Sequence, residues 1–131
     1  MERVSDFQIL SNECLAPSVY RMVLAGDTRY ITVPGQFIDI RLDRLFLRRT
    51  ISVCDRDGDT VTVIYKVVGK GTKQMSGLSA GETLNVLTGL GNGYDLSRAG
   101  DRPVLVGGGV GVPPLYWLAK ELRKRGKEVS V

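Results

Sequence analysis

The sequence predicts a mainly β fold: a six-stranded antiparallel barrel, then the first strand and helix of an α/β unit. Three observations carry that prediction. Short β-rich segments separated by turn signals fill residues 1–100, and closing such a series into a barrel removes its exposed edges. After Arg102 the periodicity changes, and a continuous apolar run empties into a glycine turn followed by a helical pattern. Glycine contributes 16 of the 131 residues, and twelve of those lie between Gly69 and Gly111, where the backbone must turn sharply or approach something closely.

The strands follow in order. Phe7–Leu10 and Tyr20–Leu24 are separated by Ala16-Pro17-Ser18. Gln36–Leu42 alternates, with Ile38, Ile40 and Leu42 on one face and Asp39 and Arg41 on the other. Arg49–Val53 and Val61–Val68 flank Asp55-Arg56-Asp57-Gly58-Asp59, a hairpin turn signal. Thr83–Leu87 closes the series. One helix interrupts it, Gly71–Leu78, with Thr72 as N-cap and Gly77 as stop.

Pro103-Val104-Leu105-Val106 reads as a parallel strand buried on both faces. The helix after it takes Pro113 and Pro114 in its first turn and places Leu115, Leu118, Ala119 and Leu122 on one stripe. Gly126 stands where a C′ residue belongs, and Glu128–Val131 begins another strand. The expected domains are therefore residues 1–100, the barrel, and residues 101–131, the start of a nucleotide-binding α/β domain that breaks off after its first turn.

Composition excludes several chemistries. There is no histidine, which removes Ser-His and Cys-His nucleophile pairs and His-ligated metals. The only cysteines, Cys14 and Cys54, are forty residues apart, so no CxxC pair or four-thiolate metal cage can form; no metal site is expected. No apolar run is long enough to span a membrane, and the polar N-terminus shows no secretory signal, so a cytoplasmic address is expected. The net charge of +4 comes with interspersed acids and few aromatics, which suits a small anionic ligand better than nucleic acid.

Four segments could carry chemistry, and none asks a side chain to act as acid, base or nucleophile. Arg49-Thr50-Ile51-Ser52 opens a strand with a planar phosphate fork and nearby hydroxyls. Tyr65-Lys66 leads to Gly69-Lys70-Gly71-Thr72 at a helix start, where free N–H groups and the dipole favour an anion such as pyrophosphate. Tyr65 either stacks on a flat ring or packs in the barrel wall. Gly89-Leu90-Gly91-Asn92-Gly93-Tyr94 is a flexible approach or a connector. Gly107-Gly108-Gly109-Val110-Gly111 lies between strand and helix, as a dinucleotide site requires, although Val112 breaks the GxGxxG template.

In this order the segments resemble the ferredoxin-NADP⁺ reductase superfamily, whose flavin-binding barrel precedes a nicotinamide-dinucleotide domain. Leu47–Ser52, Tyr65–Thr72, Gly91–Leu96 and Gly109–Leu115 are most similar to the electron-transfer subunits of NAD-dependent (class 1B) dihydroorotate dehydrogenases. The resemblance implies FAD contacts at Arg49, Thr50, Ile51, Ser52, Ile64, Tyr65, Lys66, Gly71 and Thr72, and NAD contacts at Gly109 and Gly111. It implies a partner, the FMN-bearing catalytic subunit that oxidises dihydroorotate for pyrimidine synthesis. Another flavin reductase of the superfamily, or a cofactor-free barrel acting as a binding module, are the alternative readings. Thr50 departs from the family, where Pro or Tyr is usual. The family's [2Fe–2S] cluster has no ligands in this sequence, because a cluster needs four thiolates. The chain is thus expected to be the N-terminal portion of a longer protein and inactive by itself.

Overall fold

The computed structural model describes residues 2–131. Its six strands are β1 (Arg3–Ala16), β2 (Val19–Ala25), β3 (Phe37–Ile40), β4 (Arg49–Asp57), β5 (Thr60–Lys66) and β6 (Thr83–Leu90). They close an antiparallel barrel in the order β1-β2-β5-β4-β3-β6. Helix α1 (Gly69–Ser76) connects β5 to β6, and α2 (Pro113–Lys124) follows the barrel. Inward-facing residues fill the interior in the expected alternation: Ile38 and Ile40 on β3, Val61, Val63 and Tyr65 on β5, and Phe7 and Ile9 on β1 are buried, and Leu42, just past β3, is buried with them.

Several elements differ from the sequence reading. β1 is much longer than Phe7–Leu10, because one strand serves two neighbours. Arg3–Gln8 pair with β6, and Gln8–Ala16 pair with β2 across register shifts that bend the strand. β4 runs on through Asp55-Arg56-Asp57, leaving Gly58 and Asp59 alone as the hairpin loop. α1 starts at Gly69, so Thr72 is not its N-cap but lies one turn inside, reaching back to the capping residue Val68. Gly77 does end the helix.

The C-terminal segment corrects a further expectation. Pro103–Val106 is not a strand buried on both faces: it makes one parallel bridge, Val104 to Ser130, with Val104 70% and Val106 87% exposed. Such a strand is buried only where neighbouring strands and helices cover it, and among the described residues Ser130 alone pairs with it. α2 forms as read, with Pro113 and Pro114 in its first turn and Gly126 following in a left-handed conformation. It presents Leu115, Leu118 and Leu122 to a small cluster with Leu105 and Val129. Trp117, absent from the predicted stripe, packs into the barrel's own core cluster, and Lys120 forms an ion pair with Asp55 of β4 at 2.5 Å.

Candidate functional site

A split between two strands makes the site. The β4–β5 ladder joins Asp57–Val53 to Thr60–Val63 and goes no further. Beyond it Arg49–Ser52 pair only with β3, and Ile64–Lys66 pair only with β2. The facing backbone N–H and C=O groups of the two segments are left without each other, an unfilled row of strong donors and acceptors. A cleft of about 410 Å³ occupies the gap, within the roughly 300–1,000 Å³ usual for small-molecule sites.

Eight of the eleven sequence-predicted residues line this cleft. Arg49, Thr50, Ile51 and Ser52 line one side, Ile64, Tyr65 and Lys66 the other, Thr72 lies at the α1 end, and Val110 of the glycine turn completes the lining. Gly71 touches the Arg49 side chain rather than the cleft itself. Gly109 and Gly111 flank Val110 in a short 3₁₀ turn. Gly107, ahead of that turn, is closely packed by Leu115, but among the described residues nothing crowds Gly108, Gly109 or Gly111. Two lining residues escaped the sequence reading, Val68 and Val110, because a lone valine beside a turn carries no chemical signal.

The polar groups are arranged for an anion at the α1 end. Arg49 Nη1 donates to Leu47 O at 2.5 Å, and its guanidinium has no carboxylate partner among the described residues. The buried Thr72 hydroxyl accepts from Val68 N–H and donates to Val68 O, both at 2.6 Å. That fixes the entry of α1 and leaves its first-turn N–H groups for a ligand. Thr50 Oγ1 donates to Asp39 Oδ1 at 2.5 Å, while Ser52 and Lys66 are exposed.

Tyr65 packs in the barrel wall and does not offer its ring to a ligand. It is 2% exposed and stacks on Tyr20 with centroids 5.8 Å apart. Its hydroxyl donates to Asn12 Oδ1 at 2.8 Å. Asn12 Nδ2 in turn donates to Met75 O and Leu78 O at 2.8 and 2.9 Å, tying the end of α1 to β1 and β5. Burial pushes the Tyr65 phenol up to about 12, the Asn12 hydrogen bond opposing it. The Gly91–Tyr94 loop is a connector held to the β2–β3 loop. Gln36 accepts from Thr32 N–H at 2.8 Å and donates to Gly91 O at 3.1 Å.

No family model matches the chain. It is 42% identical over 128 residues to the electron transfer subunit of dihydroorotate dehydrogenase B (NAD(+)) of Enterococcus faecalis, covering 92% of this chain and 49% of the relative. The protein of the same name from Fusobacterium nucleatum is 42% identical over 132 residues, covering 95% and 51%. The chain spans about half the length of the curated relatives it matches. Among solved structures, an NADH-dependent reduced ferredoxin-NADP oxidoreductase superposes with a TM-score of 0.85 at 31% identity, over 94% of this chain and 46% of that one. Phthalate dioxygenase reductase, at 22% identity and a TM-score of 0.79 over 97% of this chain and 42% of its own, shares the fold. Over nearly all of its own length, then, the chain is similar in sequence to the electron transfer subunits of dihydroorotate dehydrogenase B and shares the barrel fold of the ferredoxin-type reductases.

Proposed function

We propose that the cleft holds the FAD of an electron-transfer subunit that carries electrons from dihydroorotate oxidation, in a partner subunit, to NAD⁺. The observation that carries this reading is the strand split. It sets an arginine without a carboxylate partner, a helix start and two unfilled backbone rows around one cleft. A dinucleotide has the same sequence of needs, with charge at its pyrophosphate and directional hydrogen bonds along a flat ring.

The residues fit the group. Arg49 and the first-turn N–H groups of α1 would hold the pyrophosphate, and the Gly71 position leaves room for the Arg49 stem between them. The backbone of Thr50–Ser52 and Ile64–Lys66 would orient the ring, with Ile51 as apolar wall and the Ser52 hydroxyl beside it. Bound there, FAD supplies the reversible redox chemistry; the protein's part is to position it and exclude competing partners. Gly109 and Gly111 would let the nicotinamide dinucleotide approach over Val110. On this reading residues 1–100 are the FAD barrel and residues 101–131 the start of the NAD domain, in a cytoplasmic enzyme. An iron–sulfur cluster does not fit this chain, since Cys14 is exposed, Cys54 is buried and no other thiol exists. No step is assigned to one.

The test is the visible spectrum of the purified chain after incubation with excess FAD and desalting. Flavin absorbance should remain with the protein, and the Arg49→Ala, Thr72→Ala double variant should lose it. A wild-type chain that emerges colourless, with its fold intact, would refute the reading.

A further inference from the structure

The β3–β4 connection displays its apolar residues instead of hiding them. Phe46 is 99% exposed and Leu47 66%. Neither is a loose tip, because the chain is fastened on both sides of them. Leu42 is buried, Leu45 packs against the core, and Leu45 N–H donates to Leu42 O at 3.2 Å. From α1, Gln74 Nε2 donates to Asp43 O at 3.1 Å. Arg48 Nη1 donates to Asp39 O and Asn85 O, each at 3.3 Å, and Arg49 grips Leu47 O. A rigid loop that holds a phenylalanine in water has the form of an interface anchor, whose ordering cost is met before binding.

The charge around the anchor selects its partner. Arg41, Arg44, Arg48 and Arg49 stand against Asp43 alone in this stretch, and neither Arg41 nor Arg44 has a carboxylate partner among the described residues. A second copy of the chain would bring arginines against arginines. A recess of about 690 Å³ lined by Arg41, Arg44 and Arg48 adjoins Phe46, but a small anion held by those arginines would leave the phenylalanine ring in water. We infer that Phe46 and Leu47 anchor a protein–protein interface, and that the partner face is an apolar socket rimmed by carboxylates. Because Arg49 holds Leu47 O from inside the cleft, a partner seated on Phe46 docks beside the cofactor site. The inference rests on the function proposed above, under which this partner is the dihydroorotate-oxidising subunit.

The experiment titrates the FAD-loaded full chain against the purified dihydroorotate-oxidising subunit of the same genome, by interferometry at low and high salt. Phe46→Ser should weaken binding about 10- to 100-fold, and Arg41→Glu should weaken it and flatten its salt dependence. Both variants should retain flavin after desalting. Equal binding by wild type and Phe46→Ser would overturn the inference. So would loss of flavin from Phe46→Ser, which would make the loop part of the cofactor site. Sedimentation of a wild-type dimer that Phe46→Ser dissociates, or wild-type binding to phosphatidylglycerol vesicles that Phe46→Ser abolishes, would overturn it in favour of another occupant. Failure of the flavin-loaded wild type to bind the subunit at all would overturn the partner reading together with the inference.

Discussion

Gly71 lies directly against the side chain of Arg49: a β-carbon there would stand 2.1 Å from Arg49 Nε and 2.8 Å from its Cγ and Cδ. The first turn of α1 and the first residue of β4 therefore share one small volume, and only the missing side chain makes that possible. Gly71→Ala should move the guanidinium without unfolding the helix, since alanine is the better helix former by about 0.5–1 kcal/mol. We expect FAD affinity to fall at least about tenfold, roughly 1.4 kcal/mol, with the melting temperature unchanged or raised. Fluorescence titration with FAD beside thermal melts checks both halves.

Asn12 joins three elements with one amide, so its loss strands several buried groups. Asn12→Ala leaves the Tyr65 hydroxyl and the carbonyls of Met75 and Leu78 without this partner. We expect a destabilisation of about 2–3 kcal/mol, against about 1 kcal/mol for Tyr65→Phe. The double variant should cost less than the sum, because the phenylalanine no longer needs the amide. Urea denaturation of the four proteins measures the coupling.

These two contacts also mark where the sequence is silent. The alternation Ile38-Asp39-Ile40, the proline start of α2 and its Gly126 stop are legible because each depends on local geometry. Much of the cleft lining was legible through the family resemblance, but Val68 and Val110 were not, and Gly71 lies behind Arg49 rather than in the cleft. The split between β4 and β5 was not legible, because it follows from where two ladders end rather than from any residue type. Ser11-Asn12-Glu13 gives no alternation, yet lies in β1 because it pairs with Arg21–Val23 of β2. Asp55-Arg56-Asp57 has turn composition, but pairing with Thr60–Thr62 overrides it. Tyr65 looks the same in sequence whether it stacks on a ligand or on Tyr20.

Alkaline pH should loosen the barrel in two windows. Between pH 9 and about 11 the unfolded Cys54 thiol gives up its proton while the folded one, raised by burial and by Asp55, keeps it. Between pH 10 and about 12 the same holds for Tyr65. In each window the unfolded state binds fewer protons, so stability falls as pH rises. Tyr65 alone should remove about 2–3 kcal/mol by the end of its window. Denaturation midpoints from pH 8 to 12 should fall less steeply in Tyr65→Phe; an identical slope would show that the phenol is not the cause.

Trp117 is the only tryptophan, and it is 4% exposed in the barrel cluster. Its emission therefore reports whether α2 is seated. Lys120 holds the same helix to Asp55. Burial alone would lower the Lys120 pKa, but the hydrogen bond and charge of Asp55 leave it raised. Trp117→Phe should cost more than Lys120→Ala, which we place at about 1 kcal/mol or less for a partly exposed pair. In Lys120→Ala the emission should stay blue-shifted; a red shift in the native state would mean that the ion pair seats the helix.

Closure of the barrel has a kinetic consequence. The β1–β6 ladder sets Arg3 opposite Thr88, a contact 85 residues apart in sequence. Its loop entropy must be met before the last seam returns any stabilisation. During synthesis β1 must wait, paired with β2 alone, until β6 has left the ribosome. Refolding should accordingly run on the millisecond-to-second scale of non-local β folds, with protection of the Ser5–Phe7 amides appearing after that of the β2–β5 hydrogen bonds.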